Sequence, residues 1–402
     1  MSKEESSERR ASRVAIALEV EWGFKRHLET YAGCLRYAYD AGWECAITPN
    51  TDQIITLSEG ERGFDGVLAR ATNPMTMMAK KAGVPIVNVW LNSPAVDLPS
   101  VYADFEESGR MAAEHLVGRG FKRFGYLGFV RELDSRRQIK GFRQCLESAG
   151  FNCSEHRFSR TGLQSSAPTW SKFREDLKAW LDSLEPPVGI FVSNDLYCRY
   201  LMDACRAKGL HISQDIAIIG TSNEPNICNS PYPTLTSIDL GFENLGYRAA
   251  AMLDRLMKGE PPPEKPELVK PKGLVPRQST DAFAVEDPLI SEALRFIAEN
   301  CHQRIHVPDV ASAVALNRRS LERRFREHSD RSIAEEITRM RLERAKRHIS
   351  ETSAPLKAIA VDCGFRNSDH LCKVFKRSLG QTPLAFKKQH ALKSAPLRAE
   401  TN

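Results

Sequence analysis

Two short stretches near the C-terminal end carry side chains suited to reading the edges of bases. Arg319, Glu322 and Arg323 recur on one face of a helix expected over 318–328, and Ser368, Asp369, His370 and Lys373 recur on one over 368–379. An arginine can donate two parallel hydrogen bonds to guanine, a carboxylate can accept from cytosine, and short polar residues suit other base edges. The opposite faces carry the pairs Leu321/Phe325 and Leu371/Phe375, spaced to pin each helix to a core. Each helix follows a shorter one, at 308–314 and 356–363, across a turn of three residues: Ala315-Leu316-Asn317 and Gly364-Phe365-Arg366. Asn317 and Asn367 stand where a side-chain oxygen caps the second helix, and Gly364 stands where a left-handed conformation carries little steric cost. These are two helix-turn-helix units in tandem, joined by an amphipathic helix at 333–350, and their polar faces suit the major groove.

A second set of residues could hold a small polyhydroxylated molecule. Such a ligand needs bidentate hydrogen-bonding groups for its hydroxyls and an aromatic face for its C–H side. Trp22 and Arg26 follow one apolar strand, Arg70 follows another, Arg136 and Arg137 precede a helix containing Gly141, and Asn194 with Asp195 follow Phe191-Val192-Ser193. All lie at strand ends or helix starts. Plainer roles stand beside these: loop packing for Trp22, solvation for Arg26, surface ion pairs for the other arginines, and helix capping for Asn194 or Asp195.

The elements that position them alternate. Strands are expected at Val14–Leu18, Cys45–Thr48, Gly66–Ala69, Pro85–Val89, Phe124–Leu127, Gly189–Val192 and Ile216–Ile219. Helices lie at about 25–41, 75–82, 108–118, 138–149 and 197–208. Continuous apolar strands separated by helices imply parallel sheets covered on both faces, and two such halves leave a cleft at the strand carboxyl ends. The last helix of this part stops at Gly259 before a run of prolines, and Leu268–Val275 is expected to return as a strand. From Asp287, an N-cap before Pro288, the texture becomes helical, with a further helix expected at 383–390. The fold class is thus a two-lobed α/β domain with parallel sheets plus an all-α tandem helix-turn-helix domain. Its expected boundaries are a polar tail at 1–12, the sensing domain at 13–279, a linker at 280–286, the helical domain at 287–392 and a tail at 393–402.

Composition excludes several classes. The 402 residues are 42% hydrophobic and 27% charged, as in ordinary globular proteins, with no apolar run approaching the roughly 20 residues of a membrane span. The N-terminus lacks a secretory apolar stretch, so a cytoplasmic location is expected without a membrane partner. Net charge is +6, but residues 287–402 hold 22 Lys+Arg against 14 Asp+Glu, so the excess positive charge lies in the helical part. That suits a polyanion. The ten cysteines are scattered without zinc spacing. No phosphate loop, GxSxG elbow, metal cluster or dinucleotide fingerprint is present, so neither a catalytic site nor a cofactor is expected. A sugar-modifying enzyme with a helical tail, or a DNA-binding protein with a degenerate cleft, are the alternatives.

Leu321-Glu-Arg-Arg-Phe-Arg, Arg341-Leu-Glu-Arg-Ala, Ile359-Ala, Cys363-Gly-Phe and Val374-Phe-Lys-Arg-Ser-Leu-Gly-Gln-Thr-Pro resemble an AraC-family DNA-binding domain over about 290–390. The resemblance implies that the seven polar residues named first face bases in successive groove segments, and it places Asp330 where that family usually has glycine. Asp104-Phe-Glu-Glu-Ser-Gly-Arg-Met-Ala-Ala-Glu-His-Leu, Gly120-Phe-Lys-Arg-Phe-Gly-Tyr, Asn194-Asp195, Leu235-Thr-Ser-Ile-Asp and Gly246-Tyr-Arg-Ala-Ala resemble the periplasmic-binding-protein-like core of the LacI family. The combination is similar to the xylose operon regulators. It implies a sugar effector, promoter DNA and a homodimer, with RNA polymerase as a partner if the protein is an activator. Where such sensors commonly place a sugar-binding aspartate after Ile219-Gly220, this chain has Ser222, then Asn223 and Glu224. Either Asn223 or Glu224 substitutes, or the effector is a different sugar.

Overall fold

The computed structural model describes residues 10–48, 63–159, 167–229, 233–281, 287–328, 331–352 and 354–387. The chain divides into two compact units, Met1–Phe283 and Ala284–Asn402. Among the described residues no helix is long and apolar enough to cross a membrane.

The first unit begins with β1 (Arg13–Ala17), α1 (Lys25–Ala41), β2 (Glu44–Ile47), β3 (Gly66–Ala69), α2 (Asn73–Ala82) and β4 (Ile86–Asn88). Their strands form a parallel sheet in the order β2-β1-β3-β4. The helix expected at 25–41 starts and stops there, because Gly42 takes the left-handed cap at φ 67°. β5 (Val101–Ala103) continues from β4 through a bridge between Asn88 and Ser100. The chain then crosses at Asp104 into a second lobe. There it forms α3 (Phe105–Gly118), β6 (Phe124–Phe129), α4 (Leu133–Ser148), β7 (Cys153–Phe158), α5 (Ala167–Asp182), β8 (Val188–Val192), α6 (Asp195–Ala207), β9 (Ile216–Thr221), α7 (Pro225–Cys228) and β10 (Thr236–Asp239). It returns as α8 (Phe242–Met257) against α1.

The strand expected over 268–275 is two strands in two lobes. β11 (Glu267–Val269) runs parallel to β5, and β12 (Gly273–Val275) runs antiparallel to β10, giving a second sheet in the order β12-β10-β9-β8-β6-β7. Pro271 between them cannot donate to a ladder, so pairing breaks there and the chain crosses lobes once more. The linker expected from 280 also starts later. Ser279 and Thr280 are fully buried in a 3-10 turn, where Ser279 Oγ donates to Ile218 O at 2.6 Å. The rest of that linker, 282–286, lies outside the described residues.

One packing device recurs in both lobes. A Cβ on Gly33 of α1 would lie 1.9 Å from Glu243 O, and one on Gly246 of α8 would lie 1.9 Å from Thr30 O. In the other lobe Gly109 of α3 faces Gln138 O at 2.0 Å and Gly141 of α4 faces Glu106 O at 1.9 Å. Each pair of helices therefore touches backbone to backbone. The contact sets the start of α1 and of α4 at the mouth of the cleft.

The second unit comprises α9 (Pro288–Asn300), α10 (Val307–Ala313), α11 (Arg318–His328), α12 (Ile333–Glu351), α13 (Leu356–Asp362) and α14 (Ser368–Leu379), with helical backbone again at 383–387. It has two small cores. Ile333, Ile337 and Met340 of α12 belong to the first with Leu321 and Phe325; Leu342, Ala345 and Ile349 belong to the second with Leu371 and Phe375.

Replacing Gly246 by alanine is expected to lower stability by about 2–3 kcal/mol, because backbone must move to admit the methyl. Thermal unfolding checks this, and a Tm equal to wild type would contradict the close approach.

Candidate ligand cleft and nucleic-acid interface

Between the lobes of the first unit lies a cavity of about 170 Å³. Arg26, Arg70, Asn194, Asp195 and Ser222 line it, as expected from their positions after strands. Arg136, Arg137 and Asn223 do not. The helical phase of α4 explains the arginines: Asp134 lines the cavity, Gln138 one turn on is buried, and Arg136 is left exposed on another side. Arg137 instead borders a surface groove between α3 and α4. Trp22 closes a 3-10 turn at Val20–Trp22, and its side chain lies outside the described residues.

Neutral His27 organises the arginine side of the cleft. Its Nδ1 lies 2.9 Å from Glu19 O, which can only accept, so Nδ1 carries the proton. Nε2 then accepts from Arg26 Nε at 3.0 Å and Arg70 Nη1 at 2.8 Å, and a guanidinium can only donate. Burial, followed by the adjacent Arg26 and Arg70 charges, pushes the imidazole down to about 4 against the raising effect of Glu19 O. Arg70 is also paired with Glu19 at 3.0 Å and lies 4.5 Å over the Trp90 ring. Glu19 itself sits at φ 52°, a strained conformation that neighbours must impose.

The rest of the lining comes from other strand ends, in both lobes. Trp90 and Asn92 follow β4, Phe129 ends β6, and Glu132 with Asp134 open α4; all line the cavity. Asn88, fully buried, holds that first loop by accepting from Trp90 N at 2.9 Å and donating to Tyr102 Oη at 3.0 Å. The sequence carries a signal for these residues, since each stands just past an apolar run, as the expected cleft residues do. Asn194 caps α6, accepting from Leu196 N at 2.9 Å. Asp195 is buried, accepts from Ser237 Oγ at 2.6 Å and Glu224 N at 2.8 Å, and is pushed up to about 6 by desolvation.

The lobes are tied across the opening. Lys25 Nζ pairs with Asp239 at 2.8 Å, and Lys25 N, in the first turn of α1, donates to Glu224 Oε2 at 2.9 Å. Asn92 Nδ2 donates to Glu132 at 2.7 Å while its Oδ1 accepts from Leu133 N at 2.6 Å. These contacts describe a shut cleft.

In the second unit both caps are made as expected: Asn317 Oδ1 accepts from Ser320 N and Asn367 Oδ1 from His370 N, each at 2.8 Å. Gly364 takes φ 76°, and Ala315 takes φ 53° in the equivalent turn of the first repeat. Leu321, Phe325, Leu371 and Phe375 are buried. Arg319, Arg323, Asp369, His370 and Lys373 are exposed, while Glu322 and Ser368 are half-buried. Glu322 is held by Arg318 at 2.9 Å, and the His370 ring meets Phe365 edge-on at 5.7 Å. Exposed Arg326, Lys376 and Arg377 share these helices and add positive charge that the sequence reading passed over. Asp330 lies outside the described residues.

The His27 geometry fixes a pH dependence. With its folded value near 4 and an ordinary value of 6.5, the stability its neutral form contributes is complete above about pH 6.5 and falls away as pH drops toward 4. His115, also near 4 from burial, acts in the same sense, and Asp195, raised toward 6, acts in the opposite one. The contribution is therefore read as a difference: between pH 6.5 and 4.5 the wild type should lose roughly 2 kcal/mol more than His27→Gln. Parallel pH profiles for the two proteins would contradict the assignment.

Residues 113–280 match a periplasmic binding protein-like domain, and residues 310–389 match a helix-turn-helix domain. The xylose operon regulatory protein of Haemophilus influenzae is 27% identical over 84% of this chain and 87% of its own. That of Escherichia coli K12 is 27% identical over 68% of this chain and 69% of its own. A solved xylose-binding transcription activator superposes with TM-score 0.72 at 23% identity, covering 95% of this chain and 99% of that one. The chain is accordingly a DNA-binding transcription regulator in which a periplasmic-binding-protein-like domain precedes a helix-turn-helix domain.

Proposed function

We propose that the cleft takes a small sugar, xylose or another aldose, and that closure on it controls binding to promoter DNA. The observation that carries this is the pairing of a shut interlobe cavity with tandem recognition helices in one chain. Arg26, Arg70, Asn92, Glu132 and Asp134 supply charged and amide groups on opposite walls, while Trp90 and Phe129 supply aromatic faces. That is the donor, acceptor and stacking set a pyranose needs. Asn194, Asp195 and Ser222 border the same space, although the first two spend hydrogen bonds on α6 and on Ser237. The names of the two curated relatives support xylose as the first sugar to try.

On the DNA side Arg319, Glu322 and Arg323 of α11, with Ser368, Asp369, His370 and Lys373 of α14, face bases. Arg326, Lys376 and Arg377 meet phosphate. The protein works in the cytoplasm as a homodimer, placing two such pairs of helices on promoter DNA, and contacts RNA polymerase if it activates. It performs no catalysis.

The test is thermal unfolding of the purified full chain with a panel of aldoses and uronic acids. A sugar at about 100 times its dissociation constant should add roughly 2.7 kcal/mol. The expectation is a shift with a pentose; no shift across the panel would contradict a sugar sensor.

A further inference from the structure

The turn after β9 faces two ways. Ser222 and Asn223 hold φ of 107° and 52°, conformations a non-glycine residue keeps only where its surroundings impose them. Ser222 lines the cavity, and its carbonyl oxygen accepts from Lys25 Nζ at 3.4 Å. Asn223 turns away from the cavity. Its backbone N donates to Ser237 Oγ at 2.9 Å, its Nδ2 donates to Asp239 Oδ2 at 3.1 Å, and its Oδ1 accepts from Arg277 Nη2 at 2.7 Å.

Both neighbours of that carboxamide are significant. Asp239 is the residue that Lys25 reaches from the other lobe. Arg277 is the N-cap of the 3-10 turn Gln278–Thr280, from which the chain leaves the first unit. Arg277 also donates through Nη1 to Leu235 O at 2.9 Å and through its backbone N to Thr236 Oγ1 at 2.8 Å. Thr236 Oγ1 lies 2.8 Å from Thr280 Oγ1, and Thr236 N donates to Ser279 Oγ at 2.8 Å. A continuous series of hydrogen bonds thus runs from the interlobe ion pair to the root of the linker.

We propose that Asn223 and Arg277 are a coupling relay that transmits closure of the cleft to the Gln278–Thr280 turn. The proposal rests on the sugar-regulator reading above and names its regulation. With Lys25 withdrawn, the Asp239 carboxylate loses its cationic partner and keeps Asn223 Nδ2 and Gly241 N as donors among the described residues. A carboxylate that has lost its cation leans more on the neutral donors it keeps. The Asn223 carboxamide moves toward it, and Arg277, bound to the same carboxamide, changes partners at the linker root. Sugar binding reverses the change by returning Lys25. Asn223 and Arg277 act here through other groups, as positioning residues, and touch neither sugar nor DNA.

The experiment uses full-length wild type, Asn223→Gly and Arg277→Gln. Glycine keeps the positive φ while deleting the carboxamide, so the first variant folds even if the second does not. Binding of D-xylose is measured by calorimetry. Binding to the duplex recovered by oligonucleotide selection on the wild type is measured by fluorescence anisotropy, with and without saturating D-xylose. Couplings between sites are typically about 5- to 150-fold. The expected result is xylose affinity within about threefold of wild type, sugar-free DNA affinity unchanged, and a DNA-affinity ratio that falls toward one in Asn223→Gly. A wild-type ratio in Asn223→Gly overturns the relay while leaving the sugar reading intact. Loss of xylose binding in Asn223→Gly also overturns it, by putting Asn223 in the sugar site. A ratio of one in the wild type itself overturns the underlying sugar reading and the relay with it.

Discussion

Lys25 stands in the first lobe and Asp239 in the second, and their ion pair, 2.8 Å long with each side chain 11% exposed, exists while the cleft is shut. Attraction at such a site is a few kcal/mol, and desolvation of both charges offsets much of it. The pair is thus weak enough in net terms to be made and broken by a ligand. Its partners share that character: Lys25 N on Glu224, and Asn92 on the start of α4, also span the opening. A ligand that favours the shut form by only a few kcal/mol is sufficient to change the population decisively. The glycine contacts between α1 and α8, and between α3 and α4, do the opposite job by keeping each lobe rigid.

The second unit is built for fixed spacing. α12 supplies both small cores, so the two repeats share one rigid axis. Arg341 of that helix donates to three backbone carbonyls, Cys301 O at 3.0 Å, Gln303 O at 2.9 Å and Ile305 O at 3.0 Å. Gly364, at the turn of the second repeat, packs where a Cβ would lie 2.3 Å from Cys301 O. The same loop therefore touches the connecting helix and the second turn. Arg324 closes the first repeat by pairing with Asp287, the N-cap of α9, at 3.0 Å. Two helices held in this way suit consecutive major-groove segments of one duplex, as proposed for α11 and α14.

What the sequence revealed was local. The span of α1 followed from its residues and Gly42, and the caps at Asn317 and Asn367 and the left-handed Gly364 followed from side-chain chemistry. Strands with unbroken apolar runs, such as β1, β3, β8 and β9, were legible, whereas β5, too short, and β7 and β10, rich in polar residues, were not. What escaped was set by partners distant in sequence. Asn223 looks like a cleft residue by position, yet Arg277, 54 residues on, turns its carboxamide away. Arg136 and Arg137, expected just before a helix starting at 138, lie inside α4, which starts at Leu133, and its phase turns them out of the cleft. The division of 268–275 between lobes hangs on a pairing of β11 with β5 that no local pattern announces. His27 was invisible as a functional residue because its role comes from two arginines converging on one nitrogen.

The claim that matters most is that α11 and α14 read sequence. Unbiased selection of double-stranded oligonucleotides by full-length protein, run beside Arg323→Ala, tests it directly. The account predicts two conserved blocks roughly one helical turn (about 34 Å) apart, with Arg323→Ala relaxing preference at one position and weakening binding by about 1–3 kcal/mol. Recovered pools without sequence preference, or identical motifs from both proteins, would contradict it.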